Sequence, residues 1–290
     1  MSALIEVQGL SFRYRGSSSW AVRDAHLRVE EGEVVLVTGP TGSGKSTLLR
    51  ALNGLIPDFY EGEVRGVVRV AGHDVLFHRP NRVATVVGSV FQSPHDQIIA
   101  AKVRRDVSFG LENLGWEKET IEEAVRQSLD AVGLSGLEDR ATTALSGGQV
   151  QRLALAGVLA MRPRVLLLDE PASELDPRGR QELLQTLEGV VTGRSRTVII
   201  TDHRLGDLLT VVDRICVMHE GRIAIAGRPR EVLARPELED WGVEIPAPVR
   251  VWRSLAERGF DAPCPLTAQE LVDRLVPLRR VLSDAIRAAA

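Results

Sequence analysis

Between residues 39 and 46 the chain reads Gly39-Pro40-Thr41-Gly42-Ser43-Gly44-Lys45-Ser46, a spacing built to hold phosphate. The glycines at 39, 42 and 44 let backbone N–H groups approach phosphate oxygens, and the helix opening at Ser46-Thr47 adds its positive end. Lys45 is expected to reach the terminal phosphates, and the Ser46 hydroxyl to ligate a magnesium ion. A second group is the pair Asp169-Glu170, directly after the apolar run Val165-Leu166-Leu167-Leu168. Two acids there could simply cap a strand end. Beside a phosphate loop they are better placed for chemistry: Asp169 to hold magnesium through water, and Glu170 to polarise an attacking water as general base. The reaction this set suits is hydrolysis of a nucleoside triphosphate.

These residues need elements to position them. The run Val34-Val35-Leu36-Val37 is apolar on both faces, as a strand inside a parallel sheet should be, and it feeds the glycine loop and then the helix starting at Ser46. Further strands are expected at 4–7, 25–30, 64–71, 165–168, 197–201 and 215–218. Residues 103–160 carry helical periodicity instead. Thr120-Ile121-Glu122-Glu123 has the pattern of a capping box with Thr120 as N-cap, followed by Val125, Leu129 and Val132 on one face. Asp176-Pro177 opens the next helix, aspartate as cap and proline in the first turn. The expected fold is α/β, with a helical insertion at about 93–160. From Pro236 prolines recur, which suggests an ATPase domain over 1–235 and a helical appendage over 236–290.

Composition narrows the options. The chain has 290 residues, 44% hydrophobic and 26% charged, enough for a sizeable core. A net charge of −3 offers no electrostatic case for nucleic acid. Cys216 and Cys264 form no CxxC pair, so no metal site is expected from them. No run approaches the ~18 apolar residues of a membrane span, and the amino terminus lacks a signal-peptide pattern. A cytosolic protein that reaches a membrane only through a partner is expected.

Downstream lies Leu145-Ser146-Gly147-Gly148-Gln149. Together with the phosphate loop, this signature resembles the ATP-binding-cassette (ABC) ATPases over roughly residues 3–235. The resemblance implies a P-loop NTPase core (RecA-like, mixed sheet), an antiparallel β subdomain, and ATP with Mg2+ as ligands. It implies that Gln92 is the Q-loop glutamine sensing magnesium and γ-phosphate, and that Ser173-Glu174-Leu175-Asp176 is the D-loop, with Glu174 where the family has a small residue. It implies that His203 is the switch histidine, and that Tyr14 stacks on adenine, with Phe12 the competing candidate. Glycines 147 and 148 are expected to open a helix near Gln149. Its amides and the Ser146 hydroxyl could then hold an anion. One chain already has a phosphate loop for that purpose, so the second anion site makes sense if it completes the pocket of another subunit, the same chain or a paralogue.

Three further stretches resemble the ATPase subunits of energy-coupling-factor and cobalt-type importers: residues 52–57, 91–98 and 106–114. That resemblance implies a transmembrane coupling protein, a substrate-binding membrane protein for a vitamin or metal ion, and a peripheral position on the cytoplasmic face of the membrane. The cleft around Gln92 to Asn113, with Ile98, Ile99, Phe109, Lys102, Arg104 and Arg105, is the expected docking place; the alternative is that Ile98, Ile99 and Phe109 only pack the helical lobe, which is the expectation for Phe109. A soluble assembly ATPase, such as one for iron–sulfur cluster delivery, is the alternative. Chromosome-organising ATPases fit poorly, because only 130 positions separate Gly39 from Asp169 and no sustained heptads occur. At the end of the chain, Thr267-Ala268-Gln269-Glu270 is a second capping box. Leu278, Val281, Leu282, Ala285, Ile286 and Ala289 form an apolar stripe for the cassette itself or a neighbouring protomer, unless the tail is frayed.

Overall fold

The computed structural model describes residues 3–76, 80–192, 196–204, 206 and 208–276. The chain opens with strands β1 (Ala3–Tyr14), β2 (Val22–Glu30) and β3 (Val34–Thr38), then helix α1 (Lys45–Leu52). Next come β4 (Gly62–Val70), β5 (His73–Asp74), the short α2 (Pro80–Val83) and β6 (Val87–Val90). Three helices follow, α3 (Val103–Asn113), α4 (Lys118–Ala131) and α5 (Gly147–Ala160). The chain returns through β7 (Val165–Asp169), α6 (Pro177–Thr192), β8 (Thr197–Thr201), β9 (Arg214–His219) and β10 (Arg222–Gly227). It continues through α7 (Pro229–Leu233), α8 (Glu237–Asp240) and α9 (Ala247–Ala256), and residues 268–276 are helical.

Two sheets organise the molecule. One has the order β2-β1-β4-β5, with every pairing antiparallel. The other has the order β10-β9-β3-β8-β7-β6, parallel except at the β9–β10 edge. This is the mixed core and the antiparallel subdomain expected from the sequence. Strand β3 shows why its run had to be apolar throughout. Val34 and Leu36 belong to the buried cluster shared with the helical lobe, whereas Val35 and Val37 belong to the cluster under the antiparallel sheet. A strand between two cores has no polar face.

The helical lobe departs from expectation in one detail. Helix α4 starts at Lys118 with Glu117 as N-cap, so Thr120 lies inside the first turn and caps nothing. Glu119 sits in the observed first turn, where an acid is favourable at the positive end of the helix. Val125, Leu129 and Val132 are buried together, as their spacing requires.

The segment beyond residue 236 returns to the same core. Leu238, Val243, Ile245, Val249 and Cys264 lie in the buried cluster with residues of α5 and α6. Thr267 caps the helix at 268–276, its Oγ1 accepting from Glu270 N–H at 3.1 Å. The reciprocal arm is shifted by one residue: the Glu270 carboxylate accepts from Leu266 N–H and from Arg230. The stripe from Leu278 to Ala289 lies outside the described residues.

Candidate functional site

The site begins where β3 runs into its loop. Gly39 has φ 143°, and a Cβ there would sit 2.1 Å from the Met218 carbonyl oxygen. Gly44 has φ 104°, and a Cβ would meet the Ala21 carbonyl at 2.4 Å. Only glycine satisfies both the backbone conformation and the space. The loop therefore wraps tightly around the N-terminus of α1, with Lys45 only 5% exposed. Lys45 Nζ donates to the carbonyls of Gly39 at 2.9 Å and Pro40 at 3.2 Å, and lies 3.6 Å from Glu170 Oε1. The Ser43 Oγ is buried without a hydrogen-bond partner. A buried hydroxyl without a partner beside a glycine loop at a helix N-terminus fits residues that would hold an anion.

Strand β7 delivers Asp169 and Glu170 to the same place. Ser46 Oγ donates to Asp169 Oδ1 at 3.1 Å, and Thr201 Oγ1 donates to the same oxygen at 2.6 Å. Thr201 also accepts from Glu170 N–H at 2.9 Å, so the end of β8 fixes both carboxylates. Glu170 has φ 45°, a left-handed conformation costing a non-glycine residue about 1 kcal/mol. Ser173 holds that turn by donating its Oγ to the Glu170 carbonyl at 2.9 Å. Gln92 Nε2 reaches Glu170 Oε2 at 3.4 Å, and His203 Nδ1 lies 3.8 Å from the same oxygen. Glu170 is thus the meeting point of Lys45, Gln92 and His203, three residues drawn from three distant parts of the chain.

Gln92 is held from behind by a residue whose part was not legible in the sequence. Gln97 accepts from Phe91 N–H at 3.2 Å and donates to the Ser89 carbonyl at 3.0 Å, closing the loop that presents Gln92. A cavity of about 500 Å³ opens here, lined by Ser46, Arg50, Tyr60, Phe91, Gln92 and Asp169. Phe59, Phe91, Ile99 and Phe109 are exposed large apolar residues nearby in sequence, at 72%, 41%, 66% and 43%. Ile98 instead packs against the core. Arg104 lies 3.8 Å from Asp139, and Arg105 lies 3.5 Å from Glu112. Arg104 and Arg105 are both exposed.

Tyr14 is tied to the phosphate-loop helix. Its hydroxyl lies 2.9 Å from Thr47 Oγ1 and accepts from Arg50 Nη1 at 2.7 Å. Its ring stands edge-on to Phe12, which is fully buried. Of the two aromatic candidates, only Tyr14 retains any exposed surface.

Ser146, Gly147, Gly148 and Gln149 form a separate site. Helix α5 begins at Gly147, two residues earlier than expected, because Ser146 is its N-cap in a full capping box with Gln149. Gln149 N–H donates to Ser146 Oγ at 3.3 Å, and Ser146 N–H to Gln149 Oε1 at 3.0 Å. Among the described residues no hydrogen bond joins this cap to the phosphate loop. Its near neighbour is the start of α6, where Gly179 Cα lies 3.4 Å from a Cβ built on Gly148. Asp176 caps that helix, its Oδ1 accepting from Gly179 N–H at 2.7 Å. Glu174 is exposed in the loop between.

Comparisons with known proteins agree with this geometry. The family model of ABC transporters matches residues 22–173. A Pyrococcus abyssi protein named as an ABC transporter ATP-binding protein is 41% identical over 270 residues, covering 93% of this chain and 96% of that one. The energy-coupling factor transporter ATP-binding protein EcfA1 of Streptococcus pneumoniae is 38% identical over 277 residues, covering 95% and 98%. Among solved structures, cbiO1 of Clostridium perfringens, part of the ABC transporter complex cbiONQ, superposes with a TM-score of 0.73 at 32% identity, over 89% of this chain and all of that one. With its phosphate loop, paired carboxylates and capped signature helix, the chain belongs to the ABC transporter ATP-binding family and is an ATPase.

Proposed function

We propose that this chain is the ATP-hydrolysing subunit of an importer of energy-coupling-factor type, powering uptake of a vitamin or metal ion by ATP-driven closure of two ATPase subunits. One observation carries the reading. Among the described residues, the α1 start has a lysine and carboxylates beside it, whereas the α5 start has Ser146 and its glycines in a capping box. The α5 start, with Ser146 and its glycines, is an anion site without chemistry of its own. Two chains arranged so that each α5 start faces the other's phosphate loop would bury two ATP molecules between them.

Within such a pocket the roles follow from position. Lys45 leaves the Gly39 and Pro40 carbonyls for the terminal phosphates, which a stronger acceptor makes favourable. Ser46, Gln92 and Asp169 offer an all-oxygen donor set suited to a hard divalent cation, so they would hold magnesium. The ion would neutralise phosphate charge. Glu170 takes the proton of the attacking water, and His203 and Gln92, both beside its Oε2, orient it. Tyr14 and Thr47 sit on the base side of the loop, and Asp176 at the edge facing a second subunit.

No helix of the described residues is long and apolar enough to cross a membrane. A membrane role would need a partner, and the partners proposed are a transmembrane coupling protein and a substrate-binding membrane protein, a reading that the likeness to EcfA1 and to cbiO1 supports. The cavity at Gln92, rimmed by Phe59 and Phe91, is the proposed seat for a helix of the coupling protein. In this reading residues 1–235 are the ATPase domain and 236–290 its appendage.

Co-purification of the tagged chain from detergent-extracted membranes tests the assignment. Integral membrane partners should accompany the wild type. Reversing the charges of Arg104 and Arg105 together should deplete them several-fold while ATP affinity stays unchanged. Recovery of a soluble scaffold instead would contradict the importer reading.

A further inference from the structure

Helix α6 carries a charged residue into the interior. Arg180 is 7% exposed and Asp202 is 2% exposed. Arg180 Nη2 lies 3.3 Å from Asp202 Oδ2, and its Nη1 donates to the Ala172 carbonyl at 3.4 Å. The other Asp202 oxygen, Oδ1, accepts from Arg204 N–H at 2.8 Å and lies 3.8 Å from His203 Nδ1. Asp202 N–H in turn donates to the Val37 carbonyl at 3.3 Å, at the end of β3. Asp202 therefore grips the backbone on both sides of His203. Arg180 grips Asp202 and, through Ala172, the turn just after Glu170.

The same helix turn has an outward contact. Gly179, one residue before Arg180, packs against Gly148 at the start of α5, and Asp176 caps the turn. One turn of helix thus touches the signature on its outer side and the His203 segment on its inner side. A buried ion pair adds little net stability over an apolar pair of similar size, so stability alone does not account for charges at this point.

We propose that the Arg180–Asp202 pair is the positioning element that holds His203 opposite Glu170 and carries movement of the first turn of α6 to it. This rests on the reading of Glu170 and His203 given above. When a second subunit presses on the signature and α6, the shift is passed through a planar guanidinium that bonds Asp202 with one nitrogen and the Ala172 carbonyl with the other, rather than through loops. Arg180 and Asp202 are buried and act through His203.

A double variant, Arg180→Met with Asp202→Asn, tests this in the full chain. It removes both charges of the pair together, and Asn retains an acceptor for Arg204 N–H. The expected result is kcat for ATP hydrolysis lowered by roughly 10- to 100-fold, as for a misplaced reacting group, with KM changed less than about 3-fold. Arg180→Lys, which can pair with Asp202 but cannot also reach Ala172, should fall between the variant and the wild type. It also provides the measurement if the double variant does not fold. His203→Ala is measured alongside. Adding it to the double variant should cost little more, because both lesions act on one step. Wild-type kcat in the double variant while His203→Ala is impaired overturns the positioning role alone. Equal losses in kcat and in ATP affinity overturn it too, as a merely structural pair would produce them. Wild-type kcat in His203→Ala overturns the site reading instead.

Discussion

Glu170 sits at the centre of the residue-scale account. It accepts contacts from Lys45, Gln92 and His203, and its strained φ of 45° is held by Ser173 and Thr201. Glu170→Gln keeps the shape and loses the proton acceptor. Turnover should drop by about 10²- to 10⁴-fold with ATP affinity within a few-fold of wild type. Steady-state phosphate release and fluorescent-nucleotide binding measure the two parts. Tyr14 offers a second test. Tyr14→Phe keeps the ring and removes only the hydroxyl that bridges Thr47 and Arg50. ATP affinity should therefore change less than Tyr14→Ala, which should weaken it by roughly 3- to 10-fold through lost stacking. Equal weakening in both would mean that the hydroxyl, and not the ring, matters. At this scale the sequence was informative wherever chemistry needs a fixed local spacing, as in residues 39–46 or at Asp169-Glu170. It gave no role to Arg180 or Asp202, and it marked Gln97 only as part of the stretch 91–98 that resembles the importer ATPases, without its hydrogen bonds to Phe91 and Ser89. Arg180 and Asp202 are 22 positions apart, and the pair exists only after β8 is laid beside β3 and β7.

Among the elements, legibility followed burial on two faces. Strands β3, β7 and β8 read directly from their apolar runs, because each lies inside the six-stranded sheet. Strand β6 was hidden by Gly88 and Ser89. Gly88 is there because a Cβ would meet Val158 Cγ1 at 2.3 Å, so tight packing against α5 replaced the expected bulk. Strand β10 was hidden by its place at the sheet edge, where exposed and half-buried residues alternate. The early start of α4 shows how loosely a capping pattern binds a helix end, since Glu117 takes the N-cap position without a side-chain hydrogen bond. The helix at 268–276 is held differently, by Glu270 against Arg230 and Arg274. The Arg230 guanidinium bonded to Glu270 draws its carboxyl down to about 2. A depressed carboxylate contributes stability above its unfolded value near 4.5, and that contribution is lost as pH falls toward 2. Glu270→Gln should therefore destabilise the protein by about 1 kcal/mol at pH 7. The gap from wild type should close between about pH 4.5 and 2, by chemical denaturation at each pH. A gap independent of pH would remove the charge from the explanation.

On the proposed reading, the whole molecule is arranged around a site that a second subunit completes. The segment beyond β10 returns to back the His203 region, with an isolated parallel bridge between Arg204 and Glu244. It also places Trp241 stacked on His219 at 5.0 Å and Gly242 opposite Pro40. Events at the phosphate loop are thereby in contact with the carboxy-terminal segment. The resemblance to ABC ATPases, legible in two short motifs, already implied a second subunit, because the signature cap and the phosphate loop are both anion sites. The structure adds that no hydrogen bond among the described residues joins them. The account stands or falls on whether ATP joins two chains through that cap. Light scattering of Glu170→Gln, with and without ATP, in the presence and absence of Ser146→Arg, measures this most directly. The account predicts that ATP raises the dimer fraction of Glu170→Gln, and that adding Ser146→Arg abolishes the rise while each chain still binds ATP. A mass unaffected by ATP, or a rise that survives Ser146→Arg, would contradict it.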